Sequence, residues 1–302
     1  MTRPSLAAAG RGPDNAGMPL IALATAVPAL PLDEDLPPLL AALQEAGWDA
    51  QVRAWDDATV SWRRFDLVLL RSTWDYTARL PAFLDWCETV ADRTRLLNAP
   101  EVVRWNTDKR YLQALAEAGA PVVPSHFLAP GQDAAGLPDL AEFVVKPTVG
   151  AGSRGARRFL AGEREQAVDH ARQLQAQGLH VLVQPYLDQV DEAGETALLY
   201  FDGEFSHAIR KGPLLRRQAG STRALFAPEH IAARTPSAQE RAVADQVLAA
   251  QPFGRLPYAR VDLLPSPEGP RLLELELTEP SLFLDHAPGS AARLVAALQR
   301  RL

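Results

Sequence analysis

The sequence predicts an α/β (α+β) fold, with an N-terminal α/β domain followed by two α+β subdomains. Before residue 100, short apolar runs alternate with amphipathic helical segments, which is typical of a mostly parallel sheet. From residue 194 onward, apolar runs follow one another closely, which indicates consecutive strands. We expect a disordered N-terminus at 1–17 and three units, at 18–105, 106–187 and 188–302.

The N-terminal unit begins with PLIALATAVPAL, which fits a buried strand better than a signal-peptide core. No clearly basic flank adjoins this run, and the acidic segment 33–35 follows it. A helix over LPPLLAALQEAG ends at Gly47, and strands are expected at 50–54 and 66–71. Pro81 opens the next helix at a first-turn position, where its missing N–H does no harm.

In the middle unit, Thr107 is expected to cap a helix over DKRYLQALAEAG that ends at Gly119. A second helix is expected from Glu163 to Gln177. Apolar runs predict strands at 126–128, 143–146, 157–160 and 181–186.

The last unit contains four expected strands: ETALLYF, EFSHAIRK, YARVDLL and RLLELEL. Ser237 begins an interposed helix, because Ser-Ala-Gln-Glu forms a capping box, and a final helix covers 291–302. The segment 212–236 has prolines, glycines and no clear periodicity, which predicts a functional loop over a site.

Composition excludes several classes of protein. The 302 residues are 47% hydrophobic and 23% charged, a globular mixture that is neither collagen-like nor disordered. A net charge of -6 gives no sign of a partner nucleic acid or membrane. The single cysteine, Cys87, excludes a disulfide framework and suits a cytoplasmic location. No apolar run is long enough to cross a bilayer.

Lysine is scarce in this chain. Of 31 basic side chains, only Lys109, Lys146 and Lys211 are lysines. A lysine supplies a compact point charge where a planar guanidinium does not fit. The alternative is chance survival in an arginine-biased composition.

The segment TVGAGSRGARRF contains three glycines in a G-x-G-x-x-G pattern, Gly150, Gly152 and Gly155. The run RRFL that follows predicts a strand rather than a helix, which favours a flexible hairpin tip over a dinucleotide-binding turn. Such a tip lays backbone N–H groups over a triphosphate, and Lys146 ends the strand that leads into it. The alternative is a merely mobile hairpin.

Acidic side chains interrupt two apolar strands. Arg260 and Asp262 share one strand face, as do Glu274 and Glu276, because side chains two apart point the same way. If the strands pair as a hairpin, three carboxylates converge and require a cation such as Mg²⁺. The alternative is a polar stripe facing solvent on an edge hairpin. Glu279, next to Pro280, is expected on a turn.

Further candidates lie at strand ends. Gln184 and the extended segment after it offer hydrogen-bonding groups to the edge of a flat base, and Asp191 suits ribose hydroxyls. Arg71 and Trp74 follow a strand at its carboxyl end, where α/β sheets usually bind ligands. Arg71 is either a clamp for a substrate carboxylate or a surface arginine beside core aromatics.

Taken together, six segments resemble the ATP-grasp superfamily of carboxylate–amine ligases: NTDKRYL, FVVKPTVGAGSRG, QPYL, HAIRK, RVD and ELELTEPS. The resemblance covers roughly residues 18–300 and is specific as a set. Within the superfamily, the chain resembles the glutathione-synthetase-like branch. QPYLDQVDEAGET, FDGEFSHAIRKG and LELELTEPSLFL resemble the cyclo-ligases that close O-ureido-D-serine to cycloserine, although the glycine loop has the general form.

The resemblance implies an ATP-grasp fold whose last two subdomains clasp ATP, and it implies a role for each candidate residue. Lys109, Lys146 and Lys211 would contact phosphates, and Arg260 would stabilise the acyl phosphate. The implied nucleotide contacts are Gly150, Gly152, Ser153, Gly155, Gln184, Tyr186, Leu187 and Asp191. Two Mg²⁺ ions, with Mn²⁺ as a substitute, would bind Asp262, Glu274 and Glu276. Arg71, Trp74 and Ser281 would contact the substrate.

The implied reaction activates a small, amino-acid-like carboxylic acid as an acyl phosphate and joins it to a nitrogen nucleophile. ADP and phosphate are released, and both reacting groups can belong to one molecule. The partners would be small-molecule acids and amines, and a homodimer is expected from the resemblance. The competing hypotheses are a non-catalytic ATP-binding sensor or scaffold, and a kinase-like phosphoryl transfer.

Overall fold

The computed structural model describes residues 18–213, residue 215 and residues 230–302. The expected N-terminal segment 1–17 and the larger part of the expected loop 212–236 lie outside the described residues. Among the described residues, every helix is too short or too polar to span a bilayer. The described strands form three sheets, and the α/β fold class is confirmed.

The first sheet is parallel, with strand order β2-β1-β3-β4. Its strands are β1 Leu20–Thr25, β2 Asp49–Ala54, β3 Leu67–Leu70 and β4 Arg95–Leu97. Helices α1 Leu36–Glu45 and α2 Leu80–Ala91 follow β1 and β3. Strand β3 is buried on both faces, as expected for a strand inside a covered parallel sheet.

Thr107 does not begin a helix, and that prediction is wrong. Pro100 begins a helix that was not predicted from the sequence, α3 Pro100–Asn106. Thr107 is the C-cap of this helix and donates its N–H to the Val103 carbonyl. The following helix begins later, as α4 Tyr111–Glu117.

The second sheet is antiparallel, with order β5-β8-β6-β7. Its strands are β5 His126–Leu128, β6 Glu142–Pro147, β7 Arg157–Leu160 and β8 Val181–Pro185. Helix α5 Arg164–Ala176 covers one face and buries Ala167, Ala171 and Leu174 against it.

The third sheet is also antiparallel between each pair of neighbouring strands, with order β11-β10-β9-β12-β13. Short helix α6 Val190–Ala193 precedes it. Its strands are β9 Glu195–Phe201, β10 Glu204–Lys211, β11 Ile231–Arg234, β12 Tyr258–Leu264 and β13 Arg271–Glu276. Helix α7 Ala238–Ala250 packs against β12 and β13.

The final helix, α8 Ser290–Gln299, packs back on α1 near the start of the chain. Leu294 and Leu298 share a buried cluster with Leu39 and Leu43. The end of the chain therefore fastens the third sheet to the first, and it fixes the loop that leads from β13 to α8 between them.

Ser237 caps α7 as the capping box predicts. Its hydroxyl accepts from the Glu240 N–H at 3.1 Å, and the Glu240 carboxylate accepts from the Ser237 N–H at 2.7 Å. We expect Ser237→Ala to lower stability by about 1 kcal/mol, since the Glu240 N–H loses the hydroxyl that accepts from it. Thermal unfolding of this variant beside Ser237→Asn, which keeps a capping oxygen, checks this; equal losses in both would contradict the capping role.

Candidate active site

A cavity of about 370 Å³ lies among the three sheets. Its walls come from the turn after β3, the β6–β7 hairpin, the end of β8 and the β12–β13 hairpin. Most of the predicted site residues line it: Trp74, Lys109, Lys146, Gly150, Gly152, Ser153, Gln184, Tyr186, Leu187, Lys211, Arg260, Asp262, Glu274, Glu276 and Ser281. Arg71, Gly155 and Asp191 are not part of its lining.

Strands β12 and β13 pair as the antiparallel hairpin that was expected from the sequence. Asp262 lies opposite Glu274, and Arg260 lies opposite Glu276, so the four side chains share one face. Asp262 is 1% exposed, because β12 lies between β9 and β13 inside the sheet. The acidic groups therefore converge on the cavity, and the alternative of a solvent-facing stripe is excluded.

Cations neutralise the carboxylates of this hairpin. The Nε and Nη2 atoms of Arg260 donate to the two oxygens of Asp262, each at 2.9 Å, and Nη2 also pairs with Glu276. Lys211 Nζ lies 2.8 Å from Asp262 Oδ2. Lys109 Nζ lies 2.8 Å from Glu274 Oε1. The guanidinium and the two ammonium groups thus hold the acidic face together.

The surroundings lower the pKa of two of these carboxylates and raise the pKa of the third. Burial favours the neutral acid, but Arg260 and Lys211 hold the pKa of Asp262 well below its usual value. Burial also raises the pKa of Glu274, but the attraction of Lys109 outweighs this effect and the pKa is lowered. At Glu276, burial wins over the Arg260 contact, and Glu274 adds repulsion, so its pKa rises to about 7.

The three lysines of the chain meet in the cavity. Burial, together with repulsion from Lys109 and Lys211, lowers the pKa of Lys146 to about 8, although Glu274 opposes the shift. Lys146 has no ion pair within the described ranges, unlike Lys109 and Lys211. An ammonium group with two like-charged neighbours and no carboxylate partner is suited to binding a polyanion. The interpretation that lysine is kept here for function is therefore favoured.

The glycine-rich segment forms the tip of the β6–β7 hairpin, as predicted. Gly152 and Ser153 adopt left-handed backbone, with φ of 60° and 59°. The tip is tied to the cavity, because the Gly150 carbonyl accepts from Lys109 Nζ at 2.8 Å. Arg154 donates to the Trp74 carbonyl at 3.1 Å and so links the tip to the first sheet.

The end of β8 presents Gln184 and the next residues to the cavity. Gln184 is buried and donates to the Ser125 hydroxyl at 3.0 Å. The Tyr186 N–H already donates to the Glu142 carbonyl, which removes that donor from ligand recognition. Asp191 lies on α6 and accepts from the Tyr186 hydroxyl and from Arg158.

Arg71 is not an exposed clamp, and its predicted contact with substrate is wrong. The side chain is 1% exposed, lies behind the cavity wall and pairs with Asp35 at 3.1 Å and Asp33 at 3.5 Å. Its Nη1 donates to the Pro280 carbonyl at 3.1 Å. Arg71 therefore positions the loop after β13, which carries Ser281 into the cavity.

Two acidic residues of the cavity were missed from the sequence. Glu195 starts β9 opposite Lys211 and pairs with it; burial raises its pKa to about 8. Glu279 follows β13 and is 9% exposed, so it lies in the cavity wall rather than on an open turn. Burial, with repulsion from Glu276, raises its pKa to about 8.

The donor set of the hairpin suits a divalent ion that is shared with a bound phosphate. Carboxylate oxygens from Asp262, Glu274 and Glu276 are the hard ligands that Mg²⁺ selects. In the part of the chain that the structure describes, no three acidic, histidine or cysteine side chains are gathered to hold an ion by themselves. The lysine and arginine contacts occupy these oxygens, so an ion would enter together with an anion that draws the cations away.

The raised pKa of Glu279 makes the stability of the protein depend on pH. Its pKa is raised from 4.5 to about 8, so the folded protein binds a proton that the unfolded chain has released. The resulting stability is complete below about pH 4.5 and is lost as the pH rises toward 8. We expect the melting temperature of Glu279→Gln, relative to the parent, to increase steadily from about pH 5 to about pH 9. A difference that is constant across this range would contradict the assignment.

The fold is shared with ATP-grasp ligases of known structure. A D-alanine–D-alanine ligase from Bacillus anthracis complexed with ATP superposes with a TM-score of 0.63 and 15% identity, covering 94% of this chain and 97% of that one. The ATP-grasp ligase PsnB, complexed with a phosphomimetic variant of its minimal precursor, Mg and ADP, gives 0.64 and 18%, covering 95% and 100%. These two structures show that the chain has the ATP-grasp fold.

The chain belongs to the ATP-grasp ligases, in the family of the D-cycloserine synthetase DcsG. It is 42% identical to the cycloserine biosynthesis protein DcsG of Streptomyces lavendulae over 94% of this chain and 99% of that protein. The crystal structure of D-cycloserine synthetase DcsG has a TM-score of 0.88 and 41% identity, covering 93% and 99%. Residues 21–98 match the model of the D-cycloserine synthetase DcsG N-terminal domain.

Proposed function

We propose that this ligase closes O-ureido-D-serine, or a similar ureido or aminooxy amino acid, into a ring at the expense of ATP. One observation carries the proposal: the cavity combines three lysines, Arg260 and the acidic hairpin in a chain that matches DcsG over nearly its whole length. A carboxylate, a triphosphate and a divalent ion can all be neutralised by these groups.

The nucleotide is proposed to lie between the second and third sheets. Lys109 and Lys146 would contact its phosphates and Lys211 the terminal one, while the hairpin tip 150–155 would cover them. Gln184, the Tyr186 carbonyl and the Leu187 N–H would face the base. Asp191 would turn from Arg158 to the ribose, because it lies beside this wall on α6.

Two Mg²⁺ ions, with Mn²⁺ as a substitute, are proposed to bind Asp262, Glu274 and Glu276. Bound there, a divalent ion supplies charge neutralisation for the transferred phosphoryl group. The pKa of Glu276 is raised to about 7, so metal binding would release its proton near neutral pH.

In the proposed reaction, the substrate carboxylate displaces ADP from the terminal phosphorus and becomes an acyl phosphate. The nitrogen nucleophile of the same molecule then attacks the carbonyl carbon, and phosphate leaves. Arg260 would stabilise the charge on the phosphate and on the tetrahedral carbon, since its guanidinium lines the cavity. The hairpin tip would exclude water, which hydrolyses acyl phosphates.

The test incubates the purified full chain with ATP, Mg²⁺ and O-ureido-D-serine, and follows ADP release and the cyclic product by mass spectrometry. We expect both, with neither when the substrate is omitted. Tight ATP binding without stimulation by any ureido or amino acid would indicate a sensor and contradict the proposal. A stable phosphorylated product would indicate kinase-like transfer instead.

We also propose that the protein acts on small molecules in the cytoplasm, as a homodimer built from the three units expected at 18–105, 106–187 and 188–302. The single cysteine, Cys87, is buried and free, which agrees with a reducing compartment. Light scattering of the eluted protein tests the dimer, and limited proteolysis tests the boundaries.

A further inference from the structure

Glu279 differs from the other acidic residues of the cavity. It lies three residues beyond Glu276, in the loop after β13, and its own carbonyl accepts from the Trp74 indole at 3.1 Å. Its carboxyl group faces the Tyr76 hydroxyl, which is buried with it. The loop from the third sheet and the turn from the first sheet therefore present an acid and a hydroxyl side by side.

The charge around Glu279 is unbalanced. Asp262, Glu274 and Glu276 each have a lysine or arginine partner, but no ion pair holds Glu279 within residues 18–213 and 230–302. Its strongest charged neighbour is Glu276, which repels it, and Lys109, which is paired with Glu274, attracts it less strongly. A nearly buried carboxylate beside like charge is stable only when a cation joins it or a proton neutralises it. Solvent can supply the proton, and a bound ligand can supply the cation.

We propose that Glu279 and Tyr76 form the subsite for the α-ammonium group of the substrate, which makes the enzyme specific for α-amino acids. This inference rests on the proposed function. An ammonium group offers three donors, which the carboxylate and the Tyr76 oxygen can accept. The raised pKa of Glu279 supports this, because a bound ammonium would return the carboxyl to its charged form.

The position of the subsite fits the reaction. Ser281 lies two residues beyond Glu279, and its carbonyl accepts from Arg260 at 3.1 Å. The groups that would hold the ammonium and those that would stabilise the activated carboxylate are thus tied to one short loop. An α-amino acid carries both groups on one carbon, so it can reach both at once.

The test compares O-ureido-D-serine with its deamino analogue, which has hydrogen in place of the amino group. We expect the parent enzyme to favour the amino compound by about a hundredfold or more in kcat/KM. Glu279→Gln should lose most of this preference, with a rise of about a hundredfold in KM for the amino compound and little change for the analogue. Tyr76→Phe should lose a smaller part, about tenfold.

Glu34→Gln is the matched control, because Glu34 is an exposed carboxylate at the rim of the same cavity. It should keep the preference of the parent enzyme. Equal losses on both substrates in Glu279→Gln would overturn the inference, and so would a change confined to the Mg²⁺ requirement. If Glu279→Gln fails to fold, an unchanged preference in Tyr76→Phe overturns it.

Binding separates this inference from the proposed function. Should the parent enzyme turn over neither compound, the proposed function fails, and the melting temperature is then read with each compound added. Stabilisation of the parent protein by the amino compound alone, lost in Glu279→Gln, supports the ammonium subsite. Equal stabilisation by both compounds, or by neither, overturns it.

Discussion

Glu274→Ala is expected to lower ATP-dependent turnover by about a thousandfold or more, the largest catalytic effect that the structure predicts. Glu274 supplies a carboxylate to the acidic face opposite Asp262 and holds Lys109 at 2.8 Å. Its loss removes a proposed metal ligand and frees a lysine that is proposed to meet phosphate. The fold should lose only about 1–3 kcal/mol, since Lys109 keeps its bond to the Gly150 carbonyl.

The measurement is ADP release over a range of Mg²⁺ concentrations, with far-ultraviolet circular dichroism as a check on folding. Glu268→Ala is the matched control. Glu268 lies in the turn of the same hairpin, is 74% exposed at its side chain and pairs only with Arg271 among the described residues. It should keep full activity. Unchanged turnover in Glu274→Ala would remove this residue from the site.

The acidic hairpin could be predicted because its signal is local. Two charged residues at a spacing of two, inside an otherwise apolar strand, must share a face. The pairing of the two strands then followed from the short turn between them. For the same reason, the glycine-rich segment before RRFL could be recognised as a hairpin tip rather than the start of a helix.

The Glu195–Lys211 pair could not be predicted, although its strands are adjacent. The tight turn at Asp202 and Gly203 suggests a register, but an irregularity between Phe205 and His207 shifts that register by one residue. Only this shift places Glu195 opposite Lys211. No local pattern reveals such a bulge.

The burial of Glu279 and Arg71 could not be predicted for a different reason. The partners that bury them come from distant parts of the chain, such as the Trp74 indole and the paired acids of the segment 33–35. A single sequence contains no signal for contacts across some two hundred residues, such as that of Arg71 with the Pro280 carbonyl. An arginine beside aromatic residues therefore fitted a surface position and a ligand clamp equally well.

Arg71→Ala is expected to cause the largest loss of stability, about 3–5 kcal/mol, because it leaves buried carboxylates without their cation. The two carboxylates belong to Asp33 and Asp35. Asp35 matters more, because it also accepts from the N–H groups of Leu282 and Leu284 at 2.6 and 2.8 Å. Without Arg71, the acid must take up a proton or water must enter, and the loop after β13 loses the bond from Arg71 to the Pro280 carbonyl.

Thermal unfolding measures this loss, which should lower the melting temperature by roughly 10 °C for a protein of this size. Arg79→Ala is the control: Arg79 pairs with Asp56 and Asp75, but its side chain is 43% exposed, so its loss should cost less than about 1 kcal/mol. A substrate clamp would behave differently. Arg71→Ala would then melt with the parent protein while KM for the acid rose, and that combination would refute the positioning role. If Arg71 instead holds the loop, any activity that survives should show impaired kcat, because Ser281 and Glu279 lose their fixed place beside Arg260.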